Sequence, residues 1–279
     1  MRRSHLGIVC AALTLVSATS LKASDSHAAE RQLKQSLGNQ VFSLRIPTSS
    51  DKLHFDFNTQ PLGTFLPAPW TTGGLIEVKE ISLKKDTLRI DGYRVLVALR
   101  STKNSSSPPV LATILTDRSI RITVDVDPSI DLRKLDATLG RIFEHVDLQR
   151  RIAAYWTPAP ATNSGVQPSD VAQVVGTLEG GRSVYKVKVG VVGAPKPVYT
   201  PDPDYTEEAR QKRVQGTAKL MVVVNEAGLP EIIEVVEGLG HGLDERALDA
   251  IAEWRFKAAT LKGEPVAVSL VVEMTFKLY

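Results

Sequence analysis

The chain reads as an α+β protein in two parts. A strand-rich antiparallel N-terminal domain closed by a helix comes first, and a smaller domain ordered helix, β-hairpin, helix, strand follows. Three observations predict this. Apolar and polar residues alternate with a period of two through much of the first half. One strong helical face, Leu132, Leu135, Leu139, Ile142, Phe143 and Val146, follows those strands. Near the C-terminus, two short amphipathic segments bracket an alternating hairpin. The length of 279 residues suits one large domain or two ordinary ones. With 43% hydrophobic and 23% charged residues the composition is globular, which excludes a mostly disordered chain.

Residues 1–29 read as an export segment. Arg2 and Arg3 precede an uncharged apolar run at 6–20, and small residues follow. Ala18-Thr19-Ser20, Leu21-Lys22-Ala23 and Ala28-Ala29 are candidate cleavage sites. The run of about 15 residues makes roughly 22 Å of helix, short of the roughly 20 residues that span a bilayer. A cleaved signal peptide and a short inner-membrane anchor both stand at this point, and both place the remainder outside the cytoplasm. Cys10 is the single cysteine, so no intramolecular disulfide exists.

The first domain spans 37–156. Phe42, Leu44 and Ile46 alternate with polar residues, as do Leu53, Phe55 and Phe57, then Leu88 and Ile90, then Ile120, Ile122, Val124 and Val126. This is the mark of half-buried antiparallel strands. Pro47-Thr48-Ser49-Ser50-Asp51, Gly73-Gly74, Asp91-Gly92 and the Ser/Pro run at 105–109 punctuate them. Asp131 is placed to cap the helix that follows. Residues 157–183, with Pro158, Pro160, Gly165 and Pro168, read as a linker.

The second domain spans 184–279. Residues 184–192 alternate as a strand, and 194–205 form a proline-stiffened extended approach. Thr206 caps a short helix with Glu207 and Glu208 in its first turn, and Gly216 ends it. Leu220, Val222 and Val224 open a hairpin that turns at Asn225-Glu226-Ala227-Gly228. Leu243, Ala247, Leu248 and Ile251 share one face of a second helix at 243–254. A final strand at 266–278 lies at a sheet edge, with Val268, Leu270, Val272, Met274 and Phe276 facing the helices.

Few chemistries fit these residues. Taking Arg2, Arg3 and Lys22 from the 34 basic residues leaves as many as the 31 acidic ones, which argues against nucleic acid as a partner. Five scattered His and one Cys leave no cluster with metal-ligand spacing, and no catalytic residue or cofactor is assigned. Gly238-Leu239-Gly240-His241-Gly242 lacks the Gly-Lys-Ser/Thr of a phosphate loop, and His241 has no evident partner. Asp244 and Glu245 compensate a helix dipole, Trp254 and Phe256 anchor the core, and Arg255 alternates outward.

Residues 195–279 resemble the C-terminal domain of the TonB family of energy transducers. Tyr205 with Ala209-Arg210 and Val214-Gln215-Gly216 is similar to the family's opening. Val222-Val223-Val224 with Gly228 is similar to its hairpin, and Leu243-Asp244-Glu245 with Ala247 to its second helix. Trp254-Arg255-Phe256-Lys257-Ala258-Ala259 is similar to its Trp-Arg-Phe-x-Pro-Ala exit, with Ala258 in place of Pro. The stretch containing Pro69-Trp70-Thr71 also resembles an uncharacterised domain found upstream in some TonB-like proteins.

The resemblance implies a non-enzymatic, periplasmic energy-transducer component. It would support transmembrane transport by engaging an outer-membrane TonB-dependent transporter, together with inner-membrane proteins of the ExbB–ExbD kind. The implied contact is strand addition along the last strand, at Val268, Leu270 and Val272, with Asp202, Pro203, Asp204 and Tyr205 beside it. The alternative is a soluble periplasmic protein-binding module without energy coupling. A homodimer is left open.

Overall fold

A computed structural model describes residues 26–84, 86–100, 110–127, 132–144, 146–159 and 172–278. The export segment lies outside the described residues up to position 25, as do Asp131 and positions 160–171 of the expected linker. The fold is α+β and strand-rich, in two compact units. Unit 1 holds the chain to Leu96 and Thr113–Leu148; unit 2 holds Val97–Ala112 and Gln149–Tyr279.

Unit 1 begins with α1 (Ser26–Leu37) and β1 (Val41–Leu44), then β2 (Lys52–Phe55) and the one-turn helix α2 (Trp70–Gly73). The long strands β3 (Leu75–Lys84), β4 (Thr87–Arg100) and β5 (Val110–Asp125) follow, then α3 (Leu132–Ile142) and β6 (Phe143–Glu144). β3 and β4 pair antiparallel from Leu75↔Val95 to Lys84↔Thr87, with a bulge between Val78 and Glu80. β1 pairs antiparallel with both β3 and β6. β2 pairs with β5 in parallel, Lys52↔Arg121 to Phe55↔Val124, where an antiparallel sheet was expected. The chain runs from β2 to β5 through α2, β3 and β4, so no tight turn joins the two and the parallel direction is open to them.

The alternation works as expected along β2, β4 and β5. Leu53, Phe55, Leu88, Ile90, Ile120, Ile122 and Val124 are buried, and the residues between them are not. They form a core with Leu135, Leu139 and Ile142 of α3, so a helix does close this sheet. Leu33 and Leu37 of α1 join the same core. They stand four residues apart on one face of the helix, between the expected export segment at 1–29 and the expected domain from 37. The Ala28-Ala29 site therefore falls inside a packed helix, whereas the sites at 18–23 leave it whole. Ile46 and Phe57 do not extend their strands and are 50% and 68% exposed, since β1 and β2 end two residues earlier.

Unit 2 continues with α4 (Leu148–Tyr155), β7 (Trp156–Pro158), β8 (Val174–Leu178) and β9 (Arg182–Lys186). The described parts of 157–183 are thus strands and a 3-10 turn at Glu179–Gly181, where a linker was expected. β7 pairs with β8 and β8 with β9. Trp156 lies over Gly176, a partnership across twenty positions that local composition does not reveal. β9 stops at Lys186, short of the expected strand to 192, because Lys188 and Val192 close a turn.

Next come β10 (Lys196–Tyr199), α5 (Glu207–Gln211), β11 (Gly216–Val224), β12 (Pro230–Glu237) and α6 (Leu243–Glu253). The chain ends in β13 (Arg255–Lys257), β14 (Ala259–Leu261) and β15 (Glu264–Phe276). Thr206 Oγ1 accepts the Ala209 amide at 3.1 Å, the expected N-cap. The helix ends at Gln211, not at Gly216; Arg213 turns the chain with φ 51° and Gly216 opens β11. In the hairpin turn, Asn225 Oδ1 accepts the amides of Ala227 and Leu229 at 3.0 and 2.9 Å. Gly228 has φ 77°, and a Cβ there would meet the Phe256 carbonyl oxygen at 1.9 Å, so both conformation and space demand glycine. Leu243, Ala247, Leu248 and Ile251 are fully buried, as the helical face requires.

Candidate functional site

β15 is the long strand of unit 2, and it is not an open edge along its whole length. One flank pairs antiparallel with β11, Gly216↔Phe276 to Val224↔Val268. The other flank is taken by β9, in parallel, opposite Ala267–Ser269, and β14 pairs with the start of the strand at Glu264–Val266. This corrects the expectation of a free terminal strand. The apolar content of the chain gives no hint that a segment eighty residues upstream pairs there. From Leu270 to Phe276 no second strand pairs among the described residues. That leaves seven residues, roughly 23 Å at about 3.3 Å each, with outward-directed amides and carbonyls.

Val268, Val272, Met274 and Phe276 are buried and Leu270 is half-buried, while Val271, Glu273 and Thr275 are exposed. The inward register matches the sequence reading. Of the expected site residues, Val268 already has its second flank paired to Tyr185, and Leu270 and Val272 lie on the free stretch. Their side chains point into the core, so what they offer a partner is backbone.

Tyr205 joins this stretch. Its ring meets Phe276 edge-on at 5.5 Å between centroids, and its hydroxyl donates to the Val214 carbonyl at 2.8 Å. Arg210 lies over the other part of the ring, 5.8 Å from the centroid. Asp202 and Asp204 are exposed, Pro203 is half-buried, and the segment lies outside any helix or strand. Trp254 Nε1 donates to the Pro201 carbonyl at 3.1 Å, which fixes where this approach begins. Upstream, β10 pairs with β13.

Several roles emerge that the sequence did not give. Arg255 Nη1 donates to the carbonyls of Glu253 and Trp254 at 2.9 and 2.8 Å, so it closes the end of α6. Asp244 accepts the Leu239 amide at 2.7 Å and so shapes the glycine loop, besides its place in the first helical turn. His241 is partnered: its Nδ1 lies 2.9 Å from Glu208 Oε1. That contact, with Lys212 at 2.9 Å, holds the Glu208 carboxyl down at about 2.

Arg182 at the start of β9 donates to Glu226 at 2.9 Å and to both oxygens of Glu231. The Glu231 side chain is 2% exposed and that of Arg182 37%. β9 is thereby tied to the β11–β12 hairpin as well as to β15.

Helix, hairpin, helix and terminal strand around this part-covered β15 define a small α+β module. Among the described residues no group of His, Cys, Asp and Glu could hold a metal ion. Residues 201–278 match the family model of the Gram-negative bacterial TonB protein C-terminal, so this part of the chain is a TonB C-terminal-like domain. A solution NMR structure of the Pseudomonas aeruginosa TonB C-terminal domain is similar at 19% identity, covering 34% of this chain and 95% of that one, with a TM-score of 0.25. No curated protein matches. Among the described residues no helix is long and apolar enough to cross a membrane.

Proposed function

We propose that this chain is a TonB-like periplasmic energy-transducer component that engages an outer-membrane TonB-dependent transporter by strand addition to β15. The observation that carries the reading is the pairing of β9. The flank of β15 already takes a parallel strand of the same chain at Ala267–Ser269 and leaves Leu270–Phe276 unpaired directly beyond it. An extended transporter segment would continue that ladder, and backbone hydrogen bonds would carry the pull. Tyr205 and the Asp202–Asp204 approach lie at the Phe276 end, where the incoming strand would leave the sheet. The same reading couples the chain through its N-terminal segment to inner-membrane partners of the ExbB–ExbD kind.

The test is amide hydrogen exchange of the full chain with and without an extended peptide from a candidate outer-membrane transporter. Amides in a strand point alternately to its two flanks, so every second amide within Leu270–Phe276 should slow on binding. Protection confined to Asp202–Tyr205, or none on β15, would overturn strand addition.

A further inference from the structure

Unit 1 has a charged cleft on the sheet face opposite α1 and α3. It has a volume of about 370 Å³, and Lys52, Arg89, Asp91, Tyr93, Ser119 and Arg121 line it. It exists because the outward residues of β2, β4 and β5 are polar while their neighbours Leu53, Leu88, Ile90, Ile120 and Ile122 are buried. Gly92 lies in its lining and lets β3 and β4 approach closely there. A Cβ there would lie 2.2 Å from the Glu77 carbonyl oxygen, beside the bulge in β3.

The arrangement of the two arginines is specific. Arg89 Nε donates to Asp91 Oδ2 at 2.6 Å, and Arg121 Nε donates to Asp91 Oδ1 at 2.7 Å. One carboxylate therefore orients both guanidinium groups through their Nε atoms. Burial acts to raise the Asp91 carboxyl, but the hydrogen bonds from Arg121 and Arg89 outweigh it and hold the group below its ordinary range. The Nη groups of both arginines have no partner among the described residues. Lys52, directly opposite Arg121 in the parallel ladder, has none either. Lys79 is occupied by Glu77 at 2.5 Å. Asp51 and Glu80 border the cleft as well, so its surplus of positive charge is slight and a diffuse basic patch is not what it offers. What it offers is a pair of planar donor forks held by one acceptor.

We propose that this cleft is an oxyanion-binding site, which takes a phosphate or carboxylate group on the Nη atoms of Arg89 and Arg121 with Lys52 beside them. Arginine suits this because its fork matches two oxygens of one anion, whereas lysine supplies only a point charge. Asp91 is the positioning residue; it does not touch the anion. The site gives unit 1 a ligand of its own, independent of the β15 edge.

The experiment is a titration of the full chain, observed by NMR at the arginine Nε–H signals and the backbone amides. Inorganic phosphate and succinate are the two probes, and chloride at matched ionic strength is the control. Either probe should give saturable shifts at Arg89, Gly92, Tyr93, Ser119 and Arg121, and the tighter one identifies the source of the oxyanion. Arg121→Lys keeps the charge and removes the fork, so affinity should fall by about tenfold. Arg89→Lys serves the same purpose if the first variant melts early, and Lys34→Gln, outside the cleft, should change nothing. Shifts that fail to saturate, that chloride reproduces, or that survive unchanged in both lysine variants would overturn the site.

Discussion

Arg182 should hold β9 against β15, and Arg182→Gln tests this directly. The guanidinium donates to Glu226 and to both oxygens of Glu231, whose side chain is almost wholly buried. Breaking a buried pair from one side costs about 3–5 kcal/mol, and an exposed pair is worth about 0–1. Arg182 is about a third exposed, so water and Gln itself recover part of the loss. The expected cost lies between the two limits, roughly 2 kcal/mol, or about 4–8 °C in melting temperature for a unit of this size. Glu231→Gln in the same background removes the orphaned carboxylate and should return about half of that loss. Urea unfolding of the two single variants and the double variant gives the coupling energy. Among Ala267, Val268 and Ser269, which pair with β9, the amides directed at β9 should exchange faster in Arg182→Gln, and those directed at the opposite flank should not. A variant that melts within 1 °C of the parent (under about 0.5 kcal/mol by the same conversion), with unchanged exchange at these three positions, would refute the clamp.

Gly228→Ala should cost at least about 2 kcal/mol, since it adds left-handed strain to a backbone clash with Phe256; a melting temperature equal to that of the parent would contradict this. Tyr205→Phe keeps the ring against Phe276 and loses one hydrogen bond to Val214, about 1 kcal/mol, whereas Tyr205→Ala should lose more and also weaken binding of the transporter peptide. Equal peptide affinity in the parent and the alanine variant would remove Tyr205 from the site. The Glu208 carboxyl should titrate near 2, held down by His241 and then by Lys212. Because this folded value is depressed, its contribution to stability is present above the ordinary value of about 4.5 and is lost as pH falls through about 2. In a Lys212→Ala, His241→Ala variant the carbon-13 midpoint of that carboxyl should rise towards 4.5; an unmoved midpoint would dismiss both partners.

What the sequence determined by itself was local. Period-two alternation marked the start of β4, the end of β5 and β11, and three- and four-residue spacing marked α3 and α6, because burial of one face is written into neighbouring residues. The Thr206 cap, the Asn225–Gly228 turn and the inward register of β15 followed from the same short-range rules. Several residues that match the TonB C-terminal domain were legible for the same reason: Ala209, Gly228, Leu243, Ala247 and Phe256 sit at a turn or a buried face of their own element. Only the tertiary structure decided which strands meet. β2 lies parallel to β5, β9 covers Ala267–Ser269, and the stretch expected as a linker carries strands. Strand pairing is made by backbone groups that every residue carries, so side-chain patterns leave the choice of neighbour open. The charged cleft has the same origin. Arg89, Asp91, Arg121 and Lys52 are unremarked polar positions on three strands until the ladder sets them side by side.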